Sequence, residues 1–129
     1  MHKLSKTSLD RLKTCDPRLQ DVVSAAINRI DFAVLCGHRG KQDQDDAVAR
    51  GFSKTPWPKS KHNLIPSKAV DLAPYPIDWQ NLDRFKALAM VMMDEAAKLH
   101  VKIVWGADWN KNGLPDDKFK DYPHFQLDE

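Results

Sequence analysis

Two histidines and one aspartate, far apart in the sequence, have the side-chain types of a catalytic zinc site. His62 lies in the segment Ser60-Lys61-His62, Asp71 follows nine residues later, and His124 lies close to the C-terminus. Catalytic zinc sites use three such ligands and leave a fourth position for water. Bound zinc lowers the pKa of that water to about 7, which makes it a nucleophile at neutral pH. These residue types suggest one zinc ion per chain and a hydrolytic reaction; the alternative for His62 is an ordinary hydrogen-bonded histidine on a loop.

Asp71 stands in a short apolar run, residues 69–73, where a charge is unfavourable. Alternation along a strand puts Val70 and Leu72 on one face and Asp71, between two small alanines, on the other. A carboxylate in such a run needs a cation or hydrogen-bond donors, and the alanines leave room for a metal and a substrate. The alternative is a structural aspartate that accepts hydrogen bonds from the backbone of a nearby turn.

His124 and Asp121 form the second local feature. Alternation in residues 124–127 points Phe125 and Leu127 toward the core and His124 to the opposite face. Asp121 precedes His124 by three residues, a spacing that can aim a carboxylate at metal-bound water as a general base. The alternatives are a hydrogen-bonded histidine and a solvated loop aspartate. The chain has no His-Glu-x-x-His motif, so spacing alone does not identify the site.

The loop that begins near Asp108 carries oxygen-bearing side chains that suggest a second cation site. The segment from Asp108 to Gly113 starts like an EF-hand loop, but its twelfth position would be Phe119, where such loops use a bidentate glutamate. A weak calcium site near Asp108–Asn112 therefore competes with a tight Asn-Gly turn. Trp109, set in this polar loop, is the best candidate among the tryptophans for contact with a substrate.

The elements that would position these residues are short and of mixed type. Periodicity and short apolar runs predict helices at 5–13, 17–30, 41–50 and 79–99 and strands at 32–36, 69–73, 101–105 and 124–127. We expect Asp78 to cap the last helix, and we expect 52–67 and 106–121 to be loops. The order of elements predicts one α+β domain, residues 1–129, with a small, mainly antiparallel sheet and packed helices.

Composition limits the class of protein. A net charge of +2 does not indicate nucleic-acid binding, and there is no apolar run long enough for a membrane span. The N-terminus lacks the apolar stretch of a secretory signal, so we expect a protein that stays in the cytoplasm unless another factor releases it. Cys15 and Cys36 predict two buried thiols in a reducing compartment. The lysines of 54–68 suit either an anionic polymer such as a cell wall or a solvated loop.

The candidate residues also resemble a known family, the cell-wall peptidases related to D-alanyl-D-alanine carboxypeptidases and dipeptidases. Within that group the chain is most similar to phage endolysins that act as L-alanyl-D-glutamate peptidases. The resemblance covers about residues 32–127. It rests on Ser60-Lys61-His62, Ala69-Val70-Asp71, Asp121 with His124, Gly37-His38-Arg39, a glutamine at 42 or 44, and Trp105-Gly106-Ala107-Asp108-Trp109.

The resemblance implies roles for individual residues. His62, Asp71 and His124 would bind zinc, and Asp121 would act as general base and then as proton donor to the leaving amine. Arg39 would stabilise the developing oxyanion or hold a substrate carboxylate; its alternative is a surface ion pair with an aspartate at 43, 45 or 46. Two features depart from the compact family pattern. The gap between His62 and Asp71 is nine residues instead of seven, and the base is Asp where carboxypeptidase relatives often have Glu.

The implied function is hydrolysis of a peptide bond in the peptidoglycan stem, with L-Ala–D-Glu the expected bond. Such an enzyme would act as a monomer on the host cell wall late in a phage cycle. It would remain in the host cytoplasm until a holin or membrane damage gave it access. Two alternatives stay open: a D-Ala-D-Ala carboxypeptidase or dipeptidase with the same chemistry, and a metal-free wall-binding module that has lost catalysis.

Overall fold

Helices and short strands alternate irregularly along the chain. The structure, a computed structural model, describes residues 2–109, 111 and 120–129. Its helices are α1 (Lys6–Leu12), α2 (Pro17–Ala26), α3 (Lys41–Ala49) and α4 (Leu82–Lys98), with a short 3-10 helix at Lys61–Asn63, and its strands are β1 (Phe32–Cys36), β2 (Ala69–Pro74), β3 (Ile103–Trp105) and β4 (His124–Leu127).

The strands form one antiparallel sheet in the order β1-β2-β4-β3. The last strand of the chain lies between β2 and β3, so it pairs with both. In the register of β2 with β4, Asp71 lies directly opposite His124. The predicted fold class, a single small α+β domain with an antiparallel sheet, is confirmed.

One face of the sheet forms the hydrophobic core. Helix α4 packs against α2, β2 and β3, and the core residues of these helices recur at the spacing of an amphipathic helix. The core includes Leu19, Val22, Val23 and Ala26 from α2, Leu88, Ala89, Met92 and Ala96 from α4, and Val70, Leu72, Phe125 and Leu127 from the sheet. The predicted alternation in β2 and β4 is therefore confirmed.

Helix α4 begins at Leu82, and the prediction that Asp78 caps it is wrong. The Asp78 carboxylate accepts a hydrogen bond from the backbone N–H of Gln80, and its carbonyl accepts from that of Asn81. Asp78 thus closes a separate turn before the helix. Asn81 occupies the N-cap position and makes no side-chain capping bond.

Two other predicted boundaries shift for reasons visible in the backbone. Helix α2 ends at Ala26, and the chain continues in turns in which the N–H of Arg29 bonds to the Ala26 carbonyl only three residues back. Strand β3 starts only at Ile103. His100 has a φ of 59° and the N–H of Val101 bonds to a carbonyl of α4, so this segment still completes the helix end.

The two cysteines differ in environment. Cys15 is buried and Cys36 is partly exposed, and both are free thiols; the prediction of two buried thiols is therefore wrong for Cys36. Among the described residues, every helix is too short or too polar to cross a bilayer.

Candidate active site

Three side chains from separate parts of the chain meet at the sheet. His62 Nε2 lies 3.2 Å from Asp71 Oδ1 and 3.2 Å from His124 Nδ1, and the latter two atoms are also 3.2 Å apart. Both imidazole rings are buried, and the Asp71 side chain is 16% exposed. The structure thus brings together all three predicted ligands as a nearly equilateral triangle of donor atoms.

The short 3-10 helix positions His62. Ser60 Oγ accepts a hydrogen bond from the backbone N–H of His62, and Asn63 Oδ1 accepts one from that of Ser60. These reciprocal bonds fix the start of the helix in the manner of a capping box. The backbone N–H of Arg39 donates to the His62 carbonyl at 2.8 Å, which fastens the turn to the segment after β1.

The outer nitrogens of the two rings determine which atoms face the triangle. His62 Nδ1 lies 2.7 Å from the carbonyl oxygen of Gly37, which can only accept, so this nitrogen carries the proton. His124 Nε2 likewise lies 2.9 Å from Gln126 Oε1. In the neutral rings, His62 Nε2 and His124 Nδ1 therefore direct lone pairs toward each other. Metal-binding histidines are oriented by this type of contact on the outer nitrogen.

The electrostatics of the triangle favour a positive charge at its centre. Burial disfavours protonation of His62, but the nearby Asp71 carboxylate outweighs it and raises the pKa of His62 to about 10. Burial would raise the pKa of Asp71, yet the two histidines hold it well below its usual range. Three lone pairs at 3.2 Å repel one another unless a proton or a metal ion lies between them. The arrangement can hold a metal ion.

Asp121 lies beside the triangle but outside it. Its Oδ2 is 4.0 Å from His124 Nδ1, and burial, reinforced by the Asp71 charge, raises the pKa of Asp121 to about 6. The N–H of Asp121 donates to the Gly106 carbonyl, and its own carbonyl accepts from the N–H of His124. A carboxylate in this position can accept a proton near neutral pH. Together with Asp71 and His124, it could also contribute to a metal site.

Gly106 makes the Asp121–His124 turn possible. A Cβ atom at position 106 would overlap the Asp121 carbonyl oxygen and would lie 2.8 Å from the His124 Cβ. The N–H of Gly106 also donates to the His124 carbonyl at 2.7 Å. Only glycine allows this close approach of two backbone segments.

Arg39 points into the site, so its interpretation as a surface ion pair with Asp43, Asp45 or Asp46 is wrong. One guanidinium nitrogen, Nη2, donates to Asp71 Oδ2 at 3.3 Å, and Nη1 donates to Gln44 Oε1 at 3.1 Å. The Arg39 side chain is 15% exposed.

Of the two glutamines left open by the sequence, the one bonded to Arg39 is Gln44. It is fully buried, and its amide nitrogen donates to Ser53 Oγ and to the Thr55 carbonyl. Because Gln44 is the buried residue of an otherwise polar helix, periodicity gave no signal for it.

Cys36 is a neighbour of the site that the sequence interpretation missed. It offers a sulfur within 4.8 Å of ligand atoms of His62 and Asp71. Plain alternation from Val34 would have placed Cys36 on the core face. A bulge between Val34 and Cys36 shifts the register, so that Cys36 lies opposite Asp71 instead.

Trp109 lies against the site, beside the ring of His124. Its ring centroid is 5.6 Å from that of His124, and its indole nitrogen is buried without a hydrogen-bond partner among the described residues. The predicted substrate contact stays a prediction. The suggested calcium site at Asp108–Asn112 involves Asn110 and Asn112, which lie outside the described residues.

The site opens to solvent through two cavities that share Arg39, Phe52 and Asp121. One, of about 290 Å³, is lined by His62, His124 and Trp109. The other, of about 880 Å³, reaches Asp71 from the side of α3. The donor triangle is therefore accessible to a substrate from two directions.

Comparisons with known proteins agree on one family. The family model for phage L-alanyl-D-glutamate peptidase matches residues 1–127. The L-alanyl-D-glutamate peptidase of Escherichia phage T5 is 36% identical over 125 residues, covering 92% of this chain and 89% of that protein. The crystal structure of the Serratia marcescens L-Ala D-Glu endopeptidase ChiX superposes with a TM-score of 0.78 at 26% identity, covering 98% of this chain and 91% of that one. The chain belongs to the phage L-alanyl-D-glutamate peptidase family.

Proposed function

We propose that this protein is a zinc peptidase that hydrolyses the L-Ala–D-Glu bond of the peptidoglycan stem peptide. The observation that carries the proposal is the donor triangle of His62 Nε2, Asp71 Oδ1 and His124 Nδ1, with each pair of atoms 3.2 Å apart. Family membership indicates which bond is cut, since the names of the matched family and of both similar proteins refer to L-Ala and D-Glu.

The ligand types and their spacing fit zinc. In a tetrahedral site with metal–ligand bonds of about 2.0–2.1 Å, neighbouring ligand atoms are about 3.3 Å apart. The observed separations of 3.2 Å match that edge. Two imidazoles with one carboxylate suit zinc better than calcium or magnesium, which prefer oxygen ligands.

Each nearby side chain can take one part of the reaction. Bound zinc would supply Lewis acidity and would lower the pKa of water at its open position. Asp121, with its pKa raised to about 6, accepts a proton from the attacking water and returns it to the leaving amine. Arg39 is held in place because one guanidinium nitrogen donates to Asp71 and the other donates to Gln44. From there it stabilises the carbonyl oxygen as that oxygen gains negative charge.

A substrate panel combined with metal analysis tests the proposal. The purified protein should contain about one zinc per chain, cleave an L-Ala–D-Glu peptide, and lose this activity with a chelator until zinc is restored. Preferential cleavage of D-Ala-D-Ala peptides would identify the carboxypeptidase or dipeptidase alternative. Wall binding without metal or cleavage would identify the inactive module.

We further propose that the protein acts in host lysis at the end of a phage cycle. It would act as a monomer, would wait in the host cytoplasm, and would reach peptidoglycan once a holin has opened the membrane. Expression in a bacterial host with and without a co-expressed holin should cause lysis only in the first case. Lysis at equal rates in both would contradict the need for a holin.

A further inference from the structure

The smaller cavity beside the donor triangle has a cationic wall, and we refer to it as the basic cavity. It is lined by His62, His124 and Asp121 of the site and also by Lys54, Lys59 and Lys61. A group bound next to the reacting bond on this side therefore meets several positive charges.

The cations around the basic cavity differ in how they are already engaged. Lys61 Nζ donates to the Glu129 carbonyl at 2.8 Å, and Arg39 is paired with Asp71. Lys59 is exposed, and its ammonium group has no hydrogen-bond or ion-pair partner among residues 2–109, 111 and 120–129. Lys59 is thus available to a ligand without breaking an existing contact.

The larger cavity on the other side of the site carries the opposite charge, and we call it the acidic cavity. Four aspartates line it, Asp43 and Asp46 of α3 with Asp71 and Asp121, and they outnumber its two cations, Arg39 and Arg50. The two cavities meet at Arg39 and Asp121. A peptide that runs from one to the other crosses the donor triangle, and the difference in charge favours one direction of binding.

We propose that Lys59 is a specificity-determining residue that recognises the free carboxylate of the D-glutamyl residue beside the cleaved bond. The proposal rests on the proposed function. Glutamate has two carboxyl groups, so a D-glutamyl residue that continues the chain through one of them keeps the other as an anion at neutral pH. The basic cavity receives this residue, with Lys54 and Lys61 adding to the favourable potential, and the acidic cavity receives the other half of the substrate.

The test compares two peptides that differ in one group. Both contain the L-Ala–D-Glu bond, and the non-linking carboxyl of glutamate is free in the first and a primary amide in the second. Wild-type protein should cleave the free acid with a kcat/KM about tenfold higher, as expected for one charge-assisted hydrogen bond at a solvent-accessible site. The Lys59→Gln variant should lose this preference through a higher KM for the acid, and Lys59→Arg should restore it.

Lys13→Gln is the matched control, because Lys13 is exposed at the end of α1 and lines neither cavity. It removes the same charge and should leave the preference unchanged, whereas added salt should weaken the preference of the wild type. An acid-to-amide ratio that is the same in wild type and Lys59→Gln would overturn the inference. Failure of the wild type to cleave either peptide would instead contradict the proposed function.

Discussion

The two faces of the β2–β4 pair differ in composition and in what they do. In β4, Phe125 and Leu127 point to the core and are almost fully buried. The alternate residues His124 and Gln126 point to the site. Asp71 and its neighbours Val70 and Leu72 divide in the same way across β2. Because successive side chains of a strand alternate, one short segment contributes both to the core and to the candidate site. Substitutions at adjacent positions should therefore have separable effects.

The strongest test of this comparison replaces two adjacent residues of β4, His124 and Phe125, which lie on opposite faces. His124→Ala removes one corner of the donor triangle, so we expect loss of zinc and a fall in kcat/KM of more than about 10³-fold. In metal-free protein its unfolding free energy should fall by less than that of Phe125→Ala, because the His124 ring lines a solvent-open cavity and not the hydrophobic core. Phe125→Ala should instead reduce the unfolding free energy by about 3–5 kcal/mol, through lost burial and a cavity. Zinc analysis and denaturant unfolding check both; an equal loss of stability in the two variants would contradict the division of labour.

Asp121, in the turn that leads into β4, should be separable from the proposed metal ligands. Asp121→Ala leaves the triangle intact, so zinc should be retained while kcat falls by about 10²–10⁴-fold, the usual contribution of a general base. The measurement is zinc content together with kcat on the L-Ala–D-Glu peptide. Retained activity in this variant would remove Asp121 from the role proposed for it.

The raised pKa of Asp121 predicts how the activity depends on pH. A base must be unprotonated to act, and the pKa of this carboxyl is raised to about 6. A zinc ion bound beside it would lower this pKa, so activity should be constant at neutral pH and fall with acid at or below pH about 6. A kcat profile that shows no acid limb in that range, while zinc stays bound, would contradict the assignment.

Several features of this site could be predicted from sequence because they depend on local alternation. The opposite orientations of His124 and Phe125, and of Asp71 and Val70, follow from strand periodicity alone. The position of Cys36 could not be predicted, because a bulge reverses its face and bulges leave no reliable pattern in a single sequence. The pairing of Arg39 with Asp71 and Gln44 could not be predicted either, since it depends on how the segment that leads into α3 lies relative to β2.

The close backbone contact between Gly106 and the Asp121–His124 turn can be tested by substitution. A methyl group there would overlap the Asp121 carbonyl, so Gly106→Ala should displace the Asp121–His124 turn. A displacement of about 1 Å can lower kcat about 10²-fold. Gly40→Ala is the control, because a Cβ at position 40 meets no atom within 4 Å. Equal activity of the two variants would contradict the requirement for close approach.

The smallest effect is expected outside the donor triangle, at the exposed carboxylate of Glu129. Its carboxylate pairs with Arg18 and Lys68, and these contacts lower the pKa of Glu129 to about 2. A lowered folded-state pKa means that the stabilisation is present above the unfolded-state value of about 4.3 and is lost as the pH falls toward 2. Glu129→Gln should therefore lower the melting temperature slightly at pH 7, less so in high salt, and not at pH 2. Because these groups are solvent-exposed, their charges are screened in a way that those of Asp71 and His62 are not. A change in zinc affinity on Glu129→Gln would show that the surface pairs and the buried triangle are coupled after all.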